Sequence, residues 1–200
     1  MTVSGVLQAM GMRELRTVLR AVVERVEAGE PVVCLKDGQP LAVMIQHEEA
    51  ERWRRIEDSL ATLHALGIYP EALADPSALG DLASLEPPDN ATIRRLTSEP
   101  RAILSPLRTI GVSDARAAFA TLIGEVAAGR VRTIVARGHL AVAMIPASEY
   151  DRLRGLARSV SWFRGAGLDL ATASEMQIVD FVHSRRDAIN KTSGTQEATG

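Results

Sequence analysis

The sequence has little of what secreted proteins, metalloproteins and most enzymes depend on. It carries one cysteine in 200 residues, Cys34, which excludes an intramolecular disulfide or a cysteine-cluster zinc site. Set in an apolar run, that thiol reads as a small buried hydrophobe. Aromatic residues are scarce, with two tryptophans, two tyrosines and three phenylalanines. The formal net charge is only -2, so no global basic field announces nucleic acid and local patterning must make that case. No apolar stretch is long enough to span a bilayer. No basic segment followed by an apolar core stands at the N-terminus, so a cytoplasmic chain without a membrane partner is expected. The four histidines, His47, His64, His139 and His183, have no ligand partner at metal spacing. Gly165-Ala166-Gly167 lacks the preceding strand and helix entry of a phosphate-binding loop. Local context suggests no Ser/His/acid set. The expectation is no enzyme, no metal and no cofactor.

What is present is a repeat. A shift of one hundred positions lays the second half of the chain on the first without a gap. Gly11 meets Gly111, Arg16 meets Arg116, and Val26-Glu27-Ala28-Gly29 meets Val126-Ala127-Ala128-Gly129. Gly38 meets Gly138, Met44-Ile45 meets Met144-Ile145, and Leu66-Gly67-Ile68 meets Ala166-Gly167-Leu168. Roughly a dozen identities over about sixty residues mark a tandem duplication. Each copy is near the lower size limit for an independent core, so the copies are expected to pack together or to pair with other chains.

Each copy reads as strand–helix–strand–strand–helix, an α+β unit. Short strands at Ala9–Met12 and Thr109–Val112 lead into helices, with Ser113 a suitable N-cap for the second. Leu15, Val18, Leu19, Val22, Val23 and Val26 form an apolar stripe that Ala115, Ala118, Phe119, Leu122, Ile123 and Val126 repeat. A break of this helix into two is left open by the pattern. Gly29 and Gly129 stand where a helix end wants positive φ. Hairpins follow around Lys36-Asp37-Gly38 and Ala136-Arg137-Gly138. Charged helices over His47–Leu63 and Ala147–Phe163 close the copies, Pro146 suiting the first turn of the latter.

The expected organisation is a first module over 1–69, a proline-rich acidic linker over 70–107 and a second module over 108–170. A helix over 171–189 and a polar, disordered tail over 190–200 complete it. A short helical piece is expected at Ser77–Leu85. The two three-stranded sheets can lie side by side or face to face.

Charge on the first helix is the most informative polar feature. Arg13, Arg16 and Arg20, three and four apart, share a face away from the apolar stripe, and such a stripe can meet DNA phosphates or base edges. A solvated face with ordinary helical ion pairs explains the same spacing, and Glu24 and Glu27 support it. The hairpin turns add Lys36 and Arg137, with His139 beside the latter. Glu49, Arg52, Arg54 and Glu149, Arg152, Arg154 read as surface ion pairs worth little each.

With Met12-Arg13-Glu14-Leu15-Arg16 or Val112-Ser113-Asp114-Ala115-Arg116 opening the helix, a basic-Gly hairpin turn, Ala-Val-Met-Ile over 42–45 or Ala-Met-Ile-Pro over 143–146, and Ser148-Glu149-Tyr150, the sequence resembles the Phd/YefM antitoxins. The second copy is the nearer match, since His47-Glu48-Glu49-Ala50 lacks the tyrosine. The likeness covers about two-thirds of the chain. It implies a bacterial type II antitoxin that binds operator DNA, represses its own operon and neutralises a cognate protein toxin such as a ribonuclease or another translation inhibitor. The alternative is a stand-alone transcriptional regulator, or a solitary antitoxin-like interaction protein without a toxin. The DNA-binding residues would be Arg13, Arg16, Arg20, Lys36, Arg116, Arg137 and His139. The two modules would pair within one polypeptide as a pseudo-dimer over unequal half-sites, with further homo-oligomerisation open. Toxin contacts would fall on Leu79, Leu82 and Leu85 or on Met176, Val179, Phe181 and Val182, which could equally pack on the protein's own core.

Overall fold

The structure, a computed structural model, describes residues 7–68 and 108–185. The linker, Ser77–Leu85 with its leucines, and the 190–200 tail lie outside the described residues. The chain divides into two compact units, one within Met1–Glu51 and Ala102–Arg154, the other within Arg52–Arg101 and Gly155–Gly200. Each unit draws on both copies of the repeat, rather than one copy forming each.

The first unit is built on six strands: β1 (Gln8–Gly11), β2 (Val32–Lys36), β3 (Gln39–Gln46), β4 (Arg108–Gly111), β5 (Arg132–Ala136) and β6 (His139–Pro146). They form a single mixed sheet in the order β1-β2-β3-β6-β5-β4. The copies therefore meet edge to edge. Within each copy the first strand runs parallel to the second, and the second and third make an antiparallel hairpin. Register repeats at the hundred-residue offset, Gln8 facing Val32 and Arg108 facing Arg132, down to a matching irregularity at Cys34/Leu35 and Ile134/Val135. At the junction Met44 faces its own repeat mate, Met144. Ala42 faces Pro146 and Val142 faces Gln46, each pairing being the other's repeat image. That register gives the unit a local two-fold axis through the β3–β6 seam.

Helices α1 (Met12–Glu27), α3 (Val112–Ala117) and α4 (Phe119–Ala127) cover one face of the sheet. Leu15, Leu19, Val22, Val23 and Val26 are buried there with Ala115, Phe119, Leu122, Ile123 and Val126, as the stripe predicts. Val18 does not join them. It is 39% exposed, at a kink with φ -107° and ψ 20°. Ala118, with φ -99° and ψ 20°, separates α3 from α4. The kink rotates the residue at this position out of the stripe, and it occurs in both copies. Cys34 is fully buried, its thiol pushed up to about 11 by burial.

The helix starts also correct the sequence reading. Gly11 and Gly111, in extended conformation, are the N-caps, so Met12 and Val112 are already helical and Ser113 lies inside α3 without capping it. Pro146 ends β6 rather than opening the next helix. Gly29 and Gly129, at φ 93° and 89°, close α1 and α4. The bonds Glu30 N–H to Arg25 O (3.1 Å) and Gly29 N–H to Val26 O (2.9 Å), repeated in the second copy, are those of a Schellman cap.

The boundary between the units falls within α2 (His47–Ala65) and α5 (Ala147–Ser159). Where α2 is continuous, the second copy breaks at 160–161 before α6 (Trp162–Gly165). In the second unit Ser59 Oγ donates to the Leu170 carbonyl at 2.7 Å. Trp162 and Phe163 stack with centroids 3.8 Å apart. Gly165-Ala166-Gly167 is the C-terminal cap of α6, Leu168 N–H reaching Phe163 O at 2.9 Å. The final helix, α7, occupies 175–185. Ser174 accepts from Gln177 N–H while Gln177 Oε1 accepts from Ser174 N–H at 2.8 Å, a reciprocal capping box. Among the described residues no helix is long and apolar enough to cross a membrane.

Candidate nucleic-acid interface

The kink at Val18 and the break at Ala118 leave a short N-terminal segment on each side of the two-fold axis, and the two segments meet. Arg16 donates its Nε–H to the Arg116 carbonyl at 3.2 Å. Around this contact lies an open cleft of about 660 Å³ lined by Arg13, Arg16, Thr17, Ser113, Arg116 and Ala117. The six lining residues are three repeat pairs, Arg13 with Ser113, Arg16 with Arg116 and Thr17 with Ala117, so the cleft belongs to both copies. All six are exposed. Among the described residues Arg13, Arg16 and Arg116 have no carboxylate partner. Apart from the Arg16 Nε–H, no donor of these guanidiniums is taken up among the described residues, and the planar fork of arginine suits phosphate oxygens and guanine edges.

The other sequence-derived basic residues lie elsewhere. Arg20 is exposed beyond the cleft, one turn further along α1, 3.7 Å from Glu24. Arg137 reaches that same Glu24 from the second hairpin, at 3.0 Å. His139 Nε2 lies 2.7 Å from Glu27 Oε1. The tip of the second hairpin is therefore laid on the acidic, C-terminal half of α1, away from the helix starts. Lys36, at the tip of the first hairpin, is exposed and has no ion pair among the described residues. Its surroundings differ because the repeat mates of Glu24 and Glu27 are Gly124 and Ala127. The arginine stripe thus runs Arg13, Arg16, Arg20 and ends on a carboxylate shared with Arg137.

Sequence reasoning missed Thr17, Ser113 and Ala117 as lining residues, and the joining of the two stripes into one. A contact across the axis leaves no trace in helical spacing. It also missed the part-buried ion pair between α4 and β5. Arg132 is 7% exposed where the first copy has Val32, and its guanidinium is held by Glu125 through two hydrogen bonds, Nε to Oε2 at 2.9 Å being one. Those bonds hold the Glu125 carboxyl below its ordinary value. Glu149 is likewise lowered by Arg152, at 2.6 Å on the same helix. Burial raises the Tyr150 hydroxyl.

The toxin-contact candidates on α7 divide. Met176 is 73% exposed, Val179 and Phe181 are half-buried, and Val182 is buried with Ile178, which sequence reasoning had not singled out. Arg185 lies over the Phe181 ring, 5.4 Å from its centroid. Among the described residues no cluster of histidine, cysteine and carboxylate side chains could hold a metal ion. No protein-family model, curated protein or solved structure matches this chain.

Proposed function

We propose that this protein is an operator-binding repressor of the antitoxin kind, with the cleft between the helix starts as its DNA-binding surface. The observation that carries the reading is the cluster of Arg13, Arg16 and Arg116, exposed and without carboxylate partners among the described residues, around one opening on a local two-fold axis. Phosphate contacts supply sequence-independent affinity, and arginine against a guanine edge supplies discrimination. The resemblance of each copy to the Phd/YefM module points the same way. Because the two helix starts touch, they address one continuous stretch of duplex. Half-sites a full helical turn of about 34 Å apart are beyond the reach of one chain.

The test is binding of the purified protein to DNA from upstream of its own gene, across a salt series, beside Arg13→Ala/Arg16→Ala/Arg116→Ala. Specific binding is expected to weaken with salt, and the triple variant should lose affinity and flatten the salt slope by up to about 0.9 per phosphate contact removed. Absence of specific binding by the folded protein would sink the reading. In the antitoxin half of the proposal, the exposed Met176 and half-buried Phe181 on α7 offer apolar surface to a protein toxin. Co-purification with the product of the adjacent gene tests that half, and its loss on Met176→Asp would place the contact on α7.

A further inference from the structure

Resting on that reading, we infer that a single chain binds duplex DNA in one fixed orientation at a non-palindromic site, because the two halves of its basic cleft are chemically unequal. A homodimer presents the same surface twice and reads palindromes. Here the halves are copies within one chain and are free to differ. They differ most where a ligand would sit. Arg13 has Ser113 as its repeat mate and Thr17 has Ala117, so only the Arg16/Arg116 pair is matched. Even that pair is not equivalent. Arg16 spends its Nε–H on the Arg116 carbonyl, and among the described residues Arg116 does not return the bond. Thr17 turns its hydroxyl back to the Arg13 carbonyl at 2.9 Å, and Ala117 has no hydroxyl to do the same. One half therefore lines the cleft with two guanidiniums and a threonine. The other lines it with one guanidinium, a serine hydroxyl and the methyl group of Ala117. Arginine reads the guanine edge whereas a serine hydroxyl accepts several bases, so the Arg13/Ser113 difference is the one that discriminates.

The inequality continues beyond the cleft. Arg137 and His139 are tied to Glu24 and Glu27, whereas Lys36 has no ion pair among the described residues.

The experiment is selection of duplexes from a randomised pool by the wild-type chain and two variants. The wild type should enrich a non-palindromic consensus. Ser113→Arg/Ala117→Thr gives both halves the first half's side chains; its consensus should become palindromic and its salt slope steeper by about 0.9. Arg13→Ser/Thr17→Ala gives both halves the second set; its consensus should also become palindromic, with a slope shallower by a like amount. This second variant only trims exposed side chains, so it serves if the first fails to fold. A palindromic wild-type consensus, or variants that keep the wild-type consensus, would overturn the inference while leaving DNA binding intact. Failure of the folded wild type to enrich any duplex would overturn the DNA-binding reading with it.

Discussion

Thr133 is fully buried in β5, and its hydroxyl has no hydrogen-bond partner among the described residues. The first copy carries Val33 at this position, which has the same branched shape without the oxygen. A buried hydroxyl left unpaired costs about 1–3 kcal/mol in desolvation. Thr133→Val should therefore stabilise the protein by about 1 kcal/mol, raising the urea midpoint followed by circular dichroism at unchanged slope. Circular dichroism is the suitable probe because Trp53 and Trp162 both lie in the other unit. Glu125 gives a prediction with a pH sign. Its hydrogen bonds to Arg132 hold the folded-state value below the ordinary 4.5. The stability this confers is present above 4.5 and is lost as pH falls through the lower folded value. Glu125→Gln should lower stability at neutral pH and flatten the fall in stability below pH 4.5. An unchanged acid limb in urea titrations at successive pH values would show that the pair does not carry this linkage. Neither residue was legible as buried, because Arg132 and Thr133 sit where polar residues of an edge or turn would look the same.

The elements themselves were largely legible, since each pattern is written twice. Period-3.6 stripes, glycines at helix ends and two-residue turns gave α1, the hairpins and α2, whereas the closing helix expected over Ala147–Phe163 breaks at 160–161. The turns take the left-handed conformation such hairpins need, Asp37 and Arg137 at φ 51° and 50° followed by Gly38 and Gly138 at 78° and 82°. The kink after Thr17 was not decided by sequence, because Val18 fits the apolar stripe by spacing and yet turns outward. Thr17 bonds back to Arg13 in a manner that bends helices. That bond cannot be the common cause, because Ala117 lacks the hydroxyl and the second copy breaks in the same place. The helix end at Gly29 is testable. A Cβ there would meet only the Gln46 Nε2 atom at 3.9 Å, an ordinary contact. The cost of Gly29→Ala is therefore backbone strain at φ 93°, about 1–2 kcal/mol. A urea midpoint equal to wild type would mean the cap rearranges. Gln46 supports the same end by donating to the Glu27 carbonyl at 2.7 Å, a bond its repeat mate Pro146 cannot make.

At the scale of the molecule, the duplication was plain in the sequence but the way the copies join was not. Side-by-side and face-to-face pairing bury the same apolar strands, and only the register of β3 against β6 chooses between them. The joining goes deeper than a shared seam. Helix α1 packs on β6 of the second copy as well as on its own β2 and β3, and α4 packs on β3 as well as β6. The Arg137–Glu24 and His139–Glu27 contacts cross in the same sense. Residues from both copies thus share one apolar cluster around Met44 and Met144, and neither copy can lose its helix without uncovering the other's strands. Two small cores of this size would each be marginal alone, whereas one shared core satisfies both. It follows that a core deletion in one copy should loosen both. Leu19, fully buried on α1, is a suitable site, its truncation to alanine costing about 2–5 kcal/mol. In hydrogen exchange, Leu19→Ala should speed the exchange of slow amides in β5 and β6 as much as in β2 and β3. Protection retained in the second hairpin while the first exchanges faster would mean that the copies open separately, and that the cleft between their helix starts is assembled by docking rather than by folding.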